Sequence, residues 1–301
     1  MRFHTLDVFT SRRFAGNPLA VVLDADGLST DEMQSIAREF NLSETIFVMA
    51  PADSANTAKV RIFFPNGEIP FAGHPTVGCA ILLATERGAL DATQAIEIRL
   101  EEEAGLVPVI VTTGPNGVPQ AIFTAPIVPY ELTDVSLDVT AIARASGLDV
   151  DDIGFGDHRP RLHKAGPGCL HVPVRTRAAL AKAQPMEPHW STLFNAIGTD
   201  QGYFYTPGGD DPGTAYRARM FAPTAMTPED PATGSATAML AAQLLTSEHL
   251  TDGTHRWQLE QGYEMGRPSD LHLQADVEGG RLTAVRVSGQ AVRVMSGELA
   301  R

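Results

Sequence analysis

Glu44 is the side chain best suited to moving a proton. It lies in Phe40-Asn41-Leu42-Ser43-Glu44-Thr45-Ile46-Phe47, between a helix-like run and an apolar strand-like run. A carboxylate there is expected to be partly buried, which would raise its pKa and let it take up and return a proton near neutrality. The competing reading is an exposed loop glutamate, the state of most glutamates. Two further groups precede or open apolar helical runs: His74 in Ala72-Gly73-His74-Pro75-Thr76-Val77-Gly78, and Asp230 in Asp230-Pro231-Ala232-Thr233-Gly234-Ser235-Ala236. In each, a polar residue precedes proline. The unbonded N–H groups of such a helix start, with the hydroxyls of Thr233 and Ser235 nearby, suit a carboxylate or phosphate. Taken singly, His74 and Asp230 are as readily ordinary helix caps.

Other polar residues are weaker candidates. Asn17-Pro18 and Arg267-Pro268 are turns leading into strands, and either could present a side chain to a cleft or serve the turn alone. Arg61 and Arg217 could bind an acid, with structural ion pairing at least as good a reading. Asp200, which aligns with Glu44 in the repeat described below, reads as a turn residue. The remaining histidines show no metal-ligand spacing, so no metal is expected. No G-x-S-x-G, P-loop or dinucleotide fingerprint appears. The two cysteines, Cys79 and Cys169, are too few for a disulfide framework. Cys79 reads as a small buried residue.

These groups recur in two copies. Ser43-Glu44-Thr45, Pro51, Arg61, His74-Pro75, Gly78 and Ala80 lie over Thr199-Asp200-Gln201, Pro207, Arg217, Asp230-Pro231, Gly234 and Ala236 at a constant offset, as from Arg61 to Arg217. Such a repeat points to two halves related by duplication, each placing a helix start at a shared cleft. The elements follow that plan. Strands are expected at Phe3–Phe9, Leu19–Leu23, Thr45–Met49, Lys59–Phe64, Ile96–Leu100, Val107–Thr112 and Gln120–Phe123. One helix opens at Ser29-Thr30-Asp31-Glu32 and carries Met33, Ile36 and Phe40. A second opens at His74-Pro75 and is apolar on most sides, hence buried. A Pro-rich crossover, Ala125–Tyr130, leads to helices around Val139–Ala145, Arg177–Lys182 and His189–Ala196. Strands at Gly202–Tyr205 and Ala215–Met220 follow, then an apolar helix from Pro231 to Leu245. Strands at Arg256–Gln261, Leu271–Ala275, Leu282–Ser288 and Ala291–Met295 close the chain. The fold class is α+β: two similar lobes, each with many strands around one buried helix.

The length of 301 residues fits two domains. The expected N-terminal lobe is 1–125, completed by the strand 285–301, and the C-terminal lobe is 126–284. The net charge of −13, without a basic cluster, argues against nucleic acid. It also means that an anionic substrate must be held by local donors. The apolar runs are too short for a membrane span. The N-terminus reads as a strand and not a signal peptide, so the cytoplasm is the expected compartment.

These segments together resemble the PhzF-like (phenazine biosynthesis) isomerase family, of the diaminopimelate epimerase-like fold. The resemblance runs through Asp7-Val8-Phe9-Thr10, Phe14-Ala15-Gly16-Asn17-Pro18-Leu19-Ala20-Val21-Val22, Asn41-Leu42-Ser43-Glu44-Thr45 and Pro70-Phe71-Ala72-Gly73-His74-Pro75-Thr76. It continues through Asp230 to Ala236, Gln261-Gly262, Met265-Gly266-Arg267-Pro268-Ser269 and Val285-Val287-Gly289-Ala291-Val292. It implies two lobes, each a barrel-like sheet around a central helix, with an active site between them, and a glutamate at Glu44 that shuttles a proton between two ring carbons of trans-2,3-dihydro-3-hydroxyanthranilate. It also implies active-site roles for Gly73, His74, Asp230 and Ser235, no cofactor or metal, and a homodimer.

The function expected is a cofactor-independent isomerase acting on a small carboxylate-bearing molecule. Glu44, His74 and Asp230 are the catalytic candidates; Asn17, Gly73, Gly234 and Ser235 are the substrate-binding ones. Related racemases use two thiols, but the corresponding positions here, Gly73 or His74 and Asp230, hold no cysteine. The alternatives are an epimerase or racemase of an amino-acid derivative using Glu44 and Asp230 as two bases, and a non-catalytic small-molecule binder.

Overall fold

In a computed structural model, residues 1–88, 90, 94–223 and 228–300 are described. The chain divides into two compact units, Met1–Pro126 with Val287–Arg301, and Ile127–Arg286. Residue 301, the end of the expected closing strand, lies outside the described residues.

The first unit contains β1 (Arg2–Val8), β2 (Asn17–Val22), α1 (Thr30–Phe40), β3 (Glu44–Met49), β4 (Ala58–Phe64) and β5 (Gly67–Ile69). After these come α2 (Gly73–Glu86), β6 (Ile96–Glu102), β7 (Gly105–Thr113) and β8 (Pro119–Thr124). Helix α1 starts with a capping box: Ser29 Oγ accepts from Glu32 N, and Glu32 Oε2 accepts from Ser29 N. It stops where Asn41 turns left-handed, φ 49°. Three residues later β3 begins with Glu44. The strand pairs β1–β2, β2–β3, β3–β4, β4–β6, β6–β7 and β7–β8 run round in a circuit. The last strand of the chain closes it by pairing with both β8 and β1, making an eight-stranded barrel. Helix α2 runs inside, touching β1, β2, β3, β6, β7 and β8. This is why its sequence is apolar all round: Val77, Cys79, Ala80, Ile81, Leu82 and Ala84 are all buried.

The second unit contains β9 (Tyr130–Glu131), α3 (Val139–Ser146), β10 (Arg161–Lys164), β11 (Gly168–Pro173), α4 (Arg177–Lys182), α5 (His189–Ile197), β12 (Gly202–Pro207) and β13 (Thr214–Phe221). Then come β14 (Glu229–Asp230), α6 (Gly234–Ser247), β15 (Gly253–Gln261) and β16 (Ser269–Glu278). The order β9-β10-β11-β12-β13-β15-β16 is one continuous sheet, with β14 added on β13. Helix α6 touches β9 and β10 near one end of this sheet and β16 at the other, so the sheet curls round it. Trp190, Phe194, Phe204 and Phe221 form an aromatic cluster outside the curl, with α3, α4 and α5. The final strand, β17 (Arg281–Glu298), passes from the second unit into the first.

Several expectations need correction. The last two expected strands are one, β17. The strands β5, β9, β10, β11 and β14 were not anticipated. The shortest are defined only by their partners, and in Arg161–Lys164 and Gly168–Pro173 basic residues, Gly and Pro mask the alternation. Helix α6 begins at Gly234, not Pro231. Among the described residues, no helix is long and apolar enough to cross a membrane.

The duplication is visible in matched bonding, but not at a constant offset. Glu101 accepts from Ala52 N, Asp53 N and Asn56 Nδ2; Glu260 accepts from Asp210 N, Asp211 N and Thr214 Oγ1. Arg61 is forked onto Glu68 and lies over Phe63; Arg219 is forked onto Glu229 and lies over Phe221. The counterpart of Arg61 is therefore Arg219, not Arg217, and the two central helices correspond from Gly73 and Gly234. Glu44 opens β3 opposite Leu19, as Gly202 opens β12 opposite Leu170. Glu44 is thus matched by Gly202, not Asp200.

Candidate active site

In the first unit, three of the candidate residues come together. Asn17 opens β2, Glu44 opens the parallel neighbour β3, and His74 is the second residue of α2. Glu44 is 5% and His74 4% exposed. His74 Nε2 lies 3.2 Å from Glu44 Oε2, and Asn17 Nδ2 lies 3.2 Å from His74 Nδ1. Burial pushes the imidazole pKa down to about 3, against a backbone hydrogen bond at Pro18 that raises it. The ring is therefore uncharged near neutrality, and its contact with Glu44 is not an ion pair. The Asn17 amide donates to Nδ1, which leaves the ring proton on Nε2, the nitrogen that faces Glu44. Nε2 and Oε2 are close but not aligned as a hydrogen bond.

His74 is not an N-cap. The cap of α2 is Ala72, without a side-chain bond, and the first helical bond runs from Thr76 N to Ala72 O. The N–H groups of Gly73 and His74 precede it, and Pro75 has none. Gly73 is buried with His74.

In the second unit, Asp230 ends β14 and is not an N-cap either. The cap of α6 is Thr233, whose hydroxyl donates to Asp230 Oδ2 at 2.5 Å. The segment between them is tied to the strands instead. Gln261 Nε2 donates to Asp230 O (2.8 Å) and Thr233 Oγ1 (3.0 Å), and Gln261 Oε1 accepts from Thr233 N (3.1 Å). Ser269 Oγ donates to Pro231 O at 2.9 Å. Gly262, at φ +75°, lets the β15–β16 turn approach: a Cβ there would lie 2.6 Å from Pro231 O and 2.4 Å from Arg267 O. The N–H groups of Gly234, Ser235 and Ala236 precede the first helical bond, from Thr237 N to Thr233 O. Gly234 is buried and Ser235 partly exposed.

Beneath this turn, His171 Nε2 donates to Ala236 O at 3.0 Å, and its Nδ1 lies 3.2 Å from His163 Nδ1. Both rings are fully buried.

The weaker candidates resolve into structural roles. Arg217 bonds Glu260 (2.8 Å) and Asp210 (2.9 Å) and lies over the Tyr263 ring; Arg61 holds Glu68. The Arg267-Pro268 turn belongs to the loop that supports Pro231. Cys79 and Cys169 are fully buried, and burial pushes both thiols far up, away from the reactive thiolate. Among the described residues, no group of three or more His, Cys, Asp or Glu side chains is placed to hold a metal ion.

Gln261 and Glu102 were not singled out as individual site residues. Glu102 carried a signal: it follows Ile98 and Leu100 at the spacing of one strand face. Gln261 carried none of that kind, since its part is set by the loop it meets.

The model of the family described as phenazine biosynthesis-like protein, PhzC-PhzF, matches residues 6–297. An uncharacterized isomerase of Mesorhizobium japonicum is 42% identical over 296 residues, covering 97% of this chain and 96% of that protein. The trans-2,3-dihydro-3-hydroxyanthranilate isomerase of Pseudomonas aeruginosa is 34% identical over 296 residues, covering 98% of each. The crystal structure of a PhzF-family protein of Bacillus anthracis superposes with a TM-score of 0.88 at 27% identity, covering 100% of this chain and 99% of that one. A probable proline racemase of Agrobacterium radiobacter shares the fold alone, with a TM-score of 0.61 at 14% identity, covering 99% and 92%. The chain belongs to the phenazine biosynthesis-like (PhzC-PhzF) family and is an isomerase of the epimerase-like fold.

Proposed function

We propose that this isomerase moves a proton between two carbons of a small cyclic carboxylate, without metal or cofactor, with Glu44 as the shuttle. The observation that carries this reading is the buried contact between Glu44 and an uncharged His74. A buried carboxyl group with little water around it can take a proton from one carbon and return it to another. His74 faces that carboxyl at 3.2 Å, and Asn17 fixes the imidazole from its other side. In the first unit the N–H groups at the start of α2, with Gly73, suit a carboxylate. In the second unit Gly234 and Ser235 at the start of α6 offer N–H groups of the same kind, beside Asp230, which is oriented by Thr233.

Moving a proton within one molecule consumes no oxidant or reductant, so the reaction balances with these groups alone. The substrate class follows the Pseudomonas aeruginosa relative, named for trans-2,3-dihydro-3-hydroxyanthranilate. A racemase that used Glu44 and Asp230 as its two bases is separated by the test below; one that used bases matched through the repeat would need an acid at the counterpart of Glu44. Here Glu44 is matched by Gly202, whose added Cβ would lie 2.9 Å from both Trp190 and Phe194.

The test is incubation with trans-2,3-dihydro-3-hydroxyanthranilate and with a panel of amino-acid and cyclic carboxylates, followed by NMR in heavy water. A proton moved between ring carbons supports the reading. Deuterium uptake with inversion at an α-carbon would replace it with epimerisation. Binding without exchange on any of the panel would point to a non-catalytic binder.

A further inference from the structure

Ile98, Leu100 and Glu102 alternate toward the inside of the first unit's barrel, where α2 lies. Glu102 thus puts a carboxyl group at an apolar position, 7% exposed. Its Oε1 is 2.7 Å from Thr76 Oγ1, and its Oε2 has no partner among the described residues. Thr76 Oγ1 is also 2.7 Å from the carbonyl oxygen of Ala72, the cap of α2.

A hydroxyl has one proton to give, and a carbonyl oxygen has none. If Thr76 donates to Ala72, the proton in the other contact must come from Glu102, which is then a carboxylic acid. If Thr76 donated to a carboxylate instead, two oxygens would face each other at 2.7 Å without a proton. A buried charge would then rest on a single hydrogen bond. Only the first arrangement satisfies both contacts. Burial also pushes the Glu102 carboxyl up to about 8, with the Thr76 hydrogen bond opposing. In the second unit the matching strand-end residue is Gln261, a neutral amide that ties down the start of α6.

We propose that Glu102 is a positioning residue that works as a neutral acid: by donating to Thr76 it fixes the first turn of α2, and with it Gly73 and His74. This rests on the reading of His74 as part of the site. Ionised Glu102 would need Thr76's proton and would draw it away from Ala72.

The titratable and charged groups around it are few. On α2 they are His74, uncharged; Cys79, its thiol pushed up by burial and then by Glu102; and Glu86 at the far end. On β4 they are exposed Lys59, and Arg61, which is bonded to Glu68. On β6 itself they are Glu97, Arg99 and Glu101, with Glu103 just beyond; β7 carries none.

The consequence can be read without substrate. The unfolded chain ionises Glu102 in the ordinary glutamate range, so between there and about pH 8 the folded chain holds one more proton. The contribution of Glu102 to the folding constant falls by up to about tenfold per pH unit within that window and then levels off. Between about pH 7 and 8 the histidines and thiols of the unfolded chain also titrate in part, so the contribution of Glu102 is read as the difference between the wild type and a Glu102 variant.

The experiment is guanidinium unfolding of the full chain from about pH 6.5 to 9. The ratio of the wild-type folding constant to that of Glu102→Gln is expected to fall about fivefold between about pH 7 and 8. Parallel profiles would overturn the proposal. Should Glu102→Gln not fold, infrared spectra of the wild type decide: a carboxylic-acid band that disappears above about pH 8 supports it, and its absence at neutrality overturns it. In turnover of trans-2,3-dihydro-3-hydroxyanthranilate, Glu102→Gln should carry activity further into alkali than the wild type, while Glu102→Leu should not rescue it. Failure of the unfolding and infrared arms refutes the role of Glu102 alone. Absence of all turnover refutes the proposed function instead.

Discussion

Replacing Gly78 with alanine tests how tightly α2 must sit against β1 and β2. In an ordinary helix interior this change stabilises by up to about 1 kcal/mol, because glycine loses more backbone freedom on folding. Here a Cβ would fall 2.6 Å from Leu19 Cδ2 and 2.7 Å from Val8 Cγ2. Both neighbours are fully buried in the barrel wall, so neither side chain has room to swing away. Reaching the roughly 3.5 Å of an ordinary carbon contact would need helix and strands to part by nearly an ångström. Overpacking of this kind costs about 1–3 kcal/mol, and with both neighbours held in the wall its upper part applies, leaving after the propensity gain a net loss of up to about 2 kcal/mol. The same displacement acts on the site, since Gly78 lies one turn beyond His74 and Leu19 two residues beyond Asn17. The 3.2 Å contact between Asn17 and His74 should lengthen and turnover should drop. Urea unfolding at neutral pH together with a turnover assay reads both effects. An alanine variant as stable as the wild type, or more so, would refute the close-packing argument.

Glu260 is fully buried and satisfies Asp210 N, Asp211 N, Thr214 and Arg217 at once. Glu260→Ala should therefore lower unfolding free energy by about 3–5 kcal/mol, as removal of one partner of a buried pair does. Its counterpart variant Glu101→Ala, at the more exposed staple of the first unit, should lose less in the same denaturation series. The acid side is governed chiefly by buried histidines. Burial lowers His74 to about 3 and His171 to about 4, and lowers His163 well below its ordinary value, with His171 and Arg161 adding to that shift. These rings stay uncharged in the folded chain while the unfolded chain protonates them below about pH 6.5. Their contribution is complete above that pH and is lost as pH falls toward about 4. Each can contribute a slope of up to about 1.4 kcal/mol per pH unit, and together they outweigh the opposite slope from Glu102. His171→Gln should flatten the acid limb measured by thermal unfolding against pH.

Much of the fold was legible because the elements announce themselves locally. The capping box at Ser29, the all-round apolar run from Val77 to Ala84, the continuous apolar run around Ile46 and the strand-like runs around Ile62 and Val109 need no tertiary context. The start of α6 was misplaced for a physical reason. Asp230-Pro231 looks like a cap followed by a first helical residue, but Gln261 and Ser269 bind the carbonyls of Asp230 and Pro231 and hold that segment out of the helix. The repeat was real and its register was not. The central helices correspond at an offset three residues longer than that relating Arg61 to Arg219, and no gapless comparison accommodates both. The burial of Glu44 was readable from its place between a helix stop and an apolar strand. Its contact with His74 was not, because that contact depends on α2 threading the barrel beside β2 and β3.

The most direct test of the account is turnover of trans-2,3-dihydro-3-hydroxyanthranilate by Glu44→Gln beside the wild type, with folding of both confirmed by circular dichroism. Glutamine keeps the shape of the side chain and removes the proton it would carry. The account predicts a fall in rate of about 10²–10⁴, the usual contribution of a positioned acid–base group. It also predicts loss of deuterium exchange into the substrate, with substrate binding retained. A Gln variant that turns the substrate over at the wild-type rate would contradict it.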